Sequence, residues 1–186
     1  MDPNTKKTCF FCGHALPILL MTCSEQKKLE KQIMAAIEKA YRLGYRYFFS
    51  SGSLGFDAMA AKQIEDFRDH GHPEVEVHLI VYEDEKLRAL AKQTEERGFP
   101  NIFSRADSVG YFQTDDNPVT ALRNLYPMLQ DSSMGIFYYD YGINDHVAAI
   151  SFCFRFLAEE GMRLVNLWDG FPEEIVFGPR AGPLGE

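Results

Sequence analysis

No apolar run in this sequence reaches the roughly 20 residues that a membrane-crossing helix needs; the stretch from Ala15 to Met21 stops far short. The opening segment, Met1 to Lys7, is polar and lacks the pattern of a cleavable signal, so the expectation is a cytoplasmic protein with no membrane partner. Cysteine is scarce: Cys9, Cys12, Cys23 and Cys153 do not make a disulfide framework in a chain of 186 residues, and reduced thiols are expected. An excess of positive charge is also missing. The formal net charge is −8, and Lys27, Lys28 and Lys31 share their segment with Glu25, Glu30 and Glu38, which disfavours nucleic acid as a partner. Hairpin signals such as Asn-Gly between strands are absent, and so are the Walker loop and the G-x-G-x-x-G fingerprint.

What is present is the composition of a globular protein, with 46% hydrophobic and 25% charged residues. The length fits one domain, taken as residues 1–170, followed by a tail at 171–186 whose end, from Gly178, is rich in Gly and Pro. Lys7 to Cys12 reads as a strand ended by Gly13. Thr22 with Glu25 is a capping-box pattern, and Leu29, Ile33, Ala36, Ile37 and Ala40 recur at helical spacing up to a stop at Gly44. Tyr45 to Phe49 reads as a strand, Phe56 to about His70 as a helix stopped by Gly71, and Val75 to Tyr82 as a strand. Further on, helices are predicted from Asp84 to about Arg97, from Asn117-Pro118 to about Gln130 and from His146 to Glu160. Strands are predicted at Asn101 to Phe103, Met134 to Tyr139 and Met162 to Trp168, with Ser104 to Asp116 irregular. Such alternation predicts an α/β, Rossmann-like, doubly wound and mainly parallel sheet with helices on both faces.

In that architecture ligands bind outside the carboxyl ends of the strands, at the topological switch point. Gly13-His14, the loop Ser50-Ser51-Gly52-Ser53-Leu54-Gly55 and the loop Asp140 to Asp145 all fall on that edge. The serine-rich loop leads into a helix N-terminus, where small residues and backbone N–H groups suit an anion; a tight turn with no ligand is the other reading. Asp57 either stabilises the helix dipole or serves a ribose hydroxyl or proton transfer. Cys9, Cys12, His14 and Cys23 have a partial zinc vocabulary at poor spacing, and no metal is expected. Tyr138, Tyr139 and Tyr141 approach a strand end, where they either stack a base or pack the rim.

Cys9-Phe-Phe-Cys-Gly-His14 resembles the Cys-Phe-Thr-Gly-His-Arg start of the YpsA-like family of the SLOG superfamily, the Rossmann-like group that includes the SMF/DprA and LOG proteins. Phe48 to Asp57 (FFSSGSLGFD) is similar to that family's Ser-Gly-Gly-Ala-Leu-Gly-Phe-Asp segment, and Arg123 to Asp131 resembles its Arg-Asn-x-x-Met-Val-Asp stretch. The resemblance runs from about Thr8 to Trp168 and implies a nucleotide-derived ligand, such as an ADP-ribose-like molecule, on the loops already marked. The chain departs from the family pattern at Ala15 (an arginine), Ser51 (a glycine), Ser133 (an aspartate), Gly142-Ile143-Asn144 (Gly-Gly-Thr) and Ala149 (commonly a glutamate). Losing an arginine removes a bidentate phosphate clamp.

These departures favour a binding module, a sensor or regulator without strong catalysis, whose ligand-binding residues are Gly13, His14, Ser50, Ser51, Gly52, Ser53, Gly55, Asp57, Gly142 and Asn144. The alternative is a LOG-like nucleotide N-glycosidase, for which Asp57, Asp145 and His146 are the catalytic candidates. A third reading, DprA-like handling of single-stranded DNA, runs against the acidic balance. The apolar helix carrying Val147, Ile150, Phe154 and Leu157 leaves room for a homo-oligomer.

Overall fold

The computed structural model describes residues 7–14, 18, 20–50, 55–83, 105–113, 132–140 and 163–170. Within them, six parallel strands form one sheet: β1 (Thr8–Gly13), β2 (Tyr47–Ser50), β3 (Glu76–Glu83), β4 (Ser108–Gln113), β5 (Ser132–Tyr138) and β6 (Arg163–Asn166). Their spatial order is β4-β3-β2-β1-β5-β6. The chain therefore winds outward from β1 to β4, then returns to the other side of β1 for β5 and β6. This is the Rossmann-like α/β class expected from the alternation of elements.

Helix α1 (Cys23–Arg42) connects β1 to β2, and α2 (Phe56–Asp69) connects β2 to β3. The capping box forms as read: Thr22 N–H donates to Glu25 Oε2 at 2.7 Å, and Glu25 N–H donates to Thr22 Oγ1 at 3.3 Å. The Thr22 hydroxyl, which donates to Glu25 Oε2 at 2.7 Å, and then the Thr22 N–H hold the Glu25 carboxyl below its usual range. The predicted stripe Leu29, Ile33, Ala36, Ile37 and Ala40 is the buried face of α1, and Gly44 follows the helix at φ 93°. Among the described residues no helix is long and apolar enough to cross a membrane.

β1 is buried along its whole length, as a central parallel strand requires. Cys9 and Phe11 join Phe48, Val77, Leu79, Met134, Ile136 and Val165 in the core against α1 and α2. Phe10, Cys12 and Phe137 alternate to the opposite face and are buried there too. Cys9 and Cys12 thus point apart. Among the described residues no cluster of His, Cys, Asp or Glu is placed to hold a metal ion. Burial pushes the Cys9 thiol well above its ordinary range, which leaves it a small apolar core residue.

The structure corrects the sequence reading in three places. The stretch Ser104 to Asp116, expected to be irregular, contains β4, paired in register with β3 from His78↔Ser108 to Glu83↔Gln113. Val109, Tyr111 and Phe112 favour a strand, but Asp107, Ser108 and Gly110 break the pattern, and the ladder with β3 completes it. Strand two begins at Tyr47, not Tyr45, and includes Ser50, which had been placed in the loop. The last strand is only Arg163–Asn166, and Leu167–Asp169 form a 3-10 turn because the Asn166 side chain accepts a hydrogen bond from Trp168 N–H. The predicted helices after Asp84, Asn117 and His146, the strand at Asn101 to Phe103 and the tail lie outside the described residues.

At the amino edge of the sheet, an ionic network joins α2 to the segment before β4. Arg105 pairs with Glu65 at 3.6 Å, Asp66 at 3.3 Å and Asp69 at 2.5 Å. Arg68 pairs with Asp69 and with Asp107, and Asp107 in turn accepts from Val77 N–H at 2.7 Å.

Candidate functional site

The direction of winding reverses between β1 and β5, so the switch-point crevice opens at their carboxyl ends. Gly13 and Tyr138 are register partners there, and His14 N–H extends the ladder to the Tyr138 carbonyl at 3.1 Å. The start of α2 is fastened to the same edge. Asp57 Oδ1 accepts from Gly13 N–H at 2.8 Å, Ser50 Oγ donates to the Asp57 carbonyl at 3.0 Å, and Phe56 N–H donates to the His14 carbonyl at 3.4 Å. Gly55 introduces the helix at φ 91°, a conformation that side chains with a Cβ rarely adopt.

Four of the residues singled out from the sequence, Gly13, His14, Ser50 and Asp57, therefore come together around the ends of β1 and β2, with Gly55 beside them. All four are buried. Asp57 and Ser50 bond to backbone groups that fix the course of the chain, so their clearest role is to shape the loop edge. Gly13 is explained by a close approach: a Cβ there would lie 2.5 Å from the Phe56 ring. The other predicted residues, Ser51, Gly52, Ser53, Gly142, Asn144, Asp145 and His146, lie outside the described residues.

The bond between Asp57 and Gly13 predicts a specific pattern of losses. Asp57→Ala strips a buried N–H of its acceptor and is expected to cost about 2 kcal/mol. Asp57→Asn keeps a carbonyl oxygen in place and should cost less than half of that. Urea denaturation measures both, and an equal loss in the two variants would contradict the acceptor role.

Beside the crevice, aromatic rings are held in fixed positions. His14 stacks on Tyr139 with ring centroids 5.0 Å apart and an interplanar angle of 18°. Tyr138 stacks on Phe56 at 5.8 Å and meets Trp168 edge to face at 5.1 Å. Burial, with the nearby charges of Asp140 and Glu25, pushes the Tyr138 phenol up to about 12, so it keeps its proton across the working range. Of the two roles open to these tyrosines, Tyr138 takes rim packing, while Tyr139 covers one face of the His14 ring.

Two residues missed by the sequence reading organise the far wall. Asn166 Oδ1 accepts from Tyr139 N–H at 3.0 Å and Trp168 N–H at 3.3 Å, and Asn166 Nδ2 donates to the Tyr139 carbonyl at 2.8 Å. Gln32 Nε2 donates from α1 to the carbonyls of Leu167 and Gly170 at 3.2 and 3.0 Å. The only hint in the sequence was a polar residue at each of two otherwise apolar positions. Between these elements lies a groove of about 590 Å³, with Met21, Leu29, Tyr138 and Leu167 among its apolar lining and Glu25, Lys28 and Gln32 on its α1 side.

No protein-family model and no curated protein matches this chain.

Proposed function

We propose that this protein is a binding module for a nucleotide or nucleotide-derived small ligand, a sensor or regulator similar to the YpsA-like SLOG proteins, with its site at the carboxyl ends of β1 and β5. The observation that carries the reading is the convergence on the switch point of an all-parallel sheet: Gly13-His14, Ser50, Gly55 at the start of α2, and the half-buried ring of Tyr139 beside His14. A helix N-terminus favours an anionic group, and aromatic faces suit a base, so a nucleotide-like molecule matches both.

The position of Asp57 supports binding over glycoside hydrolysis. A carboxylate that is buried and engaged with Gly13 N–H is poorly placed to face an oxocarbenium-like centre. The overall charge of −8 is the main argument against single-stranded DNA as the ligand.

Thermal unfolding against AMP, GMP, NAD, ADP-ribose and related compounds tests the proposal. A compound present at about a hundred times its Kd stabilises the fold by about 2.7 kcal/mol, seen as a raised midpoint. A selective rise is expected, with no free base released on prolonged incubation. A flat response across the panel would contradict the reading, and release of free base would replace it with the hydrolase.

A further inference from the structure

The large hydrophobic residues exposed among the described ones are Leu20, at 84%, and Trp168, at 42%, and both line the same groove. Leu20 sits just before α1 and Trp168 just after β6, more than a hundred residues later in the chain, so their convergence belongs to the fold. Trp168 is also fixed in place. Asn166 holds its backbone N–H, and Gln32 holds the carbonyls of its neighbour Leu167 and of Gly170. Both of these polar side chains are buried, so the turn carrying the indole is set before any ligand arrives.

Tyr138 meets the indole edge to face at an interplanar angle of 66°, and the exposed part of Trp168 borders the groove. A volume of about 590 Å³ is in the range of small-molecule sites, about 300–1,000 Å³. The polar lining narrows the chemistry further. Glu25, whose Oε2 is held by Thr22, contributes a carboxylate with a second oxygen, and Gln32, whose amide nitrogen already serves two carbonyls, contributes an amide oxygen. An aromatic platform beside acceptors calls for a flat ring that carries N–H donors.

We infer that this groove is the base subsite of the ligand site, in which an amino-substituted heteroaromatic ring stacks on the indole of Trp168 with its N–H edge toward Glu25 and Gln32. The inference rests on the nucleotide-binding reading and assigns the base to a location that the loop residues did not indicate. Lys28 adds one cationic group to the same lining.

Trp168 is the single tryptophan of the chain, so its emission reports on this groove alone. The experiment titrates AMP and GMP, with ribose 5-phosphate as the base-free control, and follows both emission and thermal midpoint. AMP or GMP is expected to quench the emission and raise the midpoint, and ribose 5-phosphate to leave the emission unchanged. Trp168→Ala should weaken binding, read by calorimetry, about tenfold or more, and Trp168→Phe should recover part of the loss. The Phe variant, which retains an aromatic face, separates loss of stacking from loss of fold. If AMP or GMP raises the midpoint without quenching, and Trp168→Ala binds as tightly as the native chain, the subsite is overturned while the nucleotide reading stands. If neither compound changes emission or midpoint, both fall.

Discussion

Gly13→Ala is expected to destabilise the protein by about 3 kcal/mol, the upper part of the range for overpacking a closed core. The added Cβ would lie 2.5 to 2.7 Å from three side-chain atoms of Phe56, all closer than real Cβ contacts allow. Phe56 has little freedom to retreat. Its ring is fully buried between Phe11, at 6.4 Å, and Tyr138, at 5.8 Å, and its backbone N–H is tied to the His14 carbonyl. Moving it would also disturb Asp57, the next residue, whose carboxylate bonds to Gly13 itself. Chemical denaturation of Gly13→Ala, Phe56→Leu and the double variant checks the cause. The double variant should lose less than the sum of the single losses, because the smaller side chain makes room for the methyl group. Strict additivity would place the cost of Gly13→Ala elsewhere.

The second large effect lies at the opposite edge of the sheet. Glu65 is 1% exposed, and its burial pushes the carboxyl up to about 7 despite the opposing pull of Arg105 and Arg68, with Asp66 and Asp69 adding to the rise. The folded state therefore holds this proton more tightly than the unfolded chain, whose ordinary value is 4.5. The resulting stabilisation is fully present below that ordinary value and is lost as the pH rises through about 7. Between pH 4.5 and pH 8 it is on the order of 3 kcal/mol. Urea denaturation across this range should show the native chain losing that much relative to Glu65→Gln, which is neutral throughout. Arg105→Met should sharpen the same dependence. At pH 8 it leaves a buried carboxylate without its nearest cation and costs about 3–5 kcal/mol; at pH 5, with Glu65 protonated, the cost should be much smaller. Parallel profiles for the native chain and Glu65→Gln would contradict the account of this network.

The fold was legible where local chemistry and tertiary structure agree. The capping box at Thr22 and Glu25, the stripe of α1 and the largely apolar β1 each state their own conformation. β4 was not read, because Ser108 and Gly110 interrupt the strand formers Val109, Tyr111 and Phe112, and the ladder with β3 completes the strand. The end of β6 was misread because Asn166 turns the chain with its own side chain, a contact that no hydrophobic pattern encodes.

The candidate site was legible in location and not in role. Strand ends and small residues marked the carboxyl edge of the sheet, where Gly13, His14, Ser50 and Asp57 come together, since the position of a crevice follows from connectivity. Roles depend on which atoms meet across long stretches of chain. Asp57 is 44 residues from its partner Gly13, and Gln32 is 135 from Leu167. Spacing along the sequence carries no trace of either meeting, so the fastening of the loop edge by Asp57 and Ser50 and the exposed indole of Trp168 went unread.

The central claim is that the carboxyl edge between β1 and β5 is a ligand site. Its most direct test is a titration of the isotope-labelled protein with AMP and ADP-ribose, followed by amide NMR. The account predicts saturable shifts at His14, Gly55, Tyr139 and the Trp168 indole N–H, with Arg68, Asp107 and Ser108 at the amino edge unmoved. Shifts confined to the amino edge, or none with either compound, would contradict it.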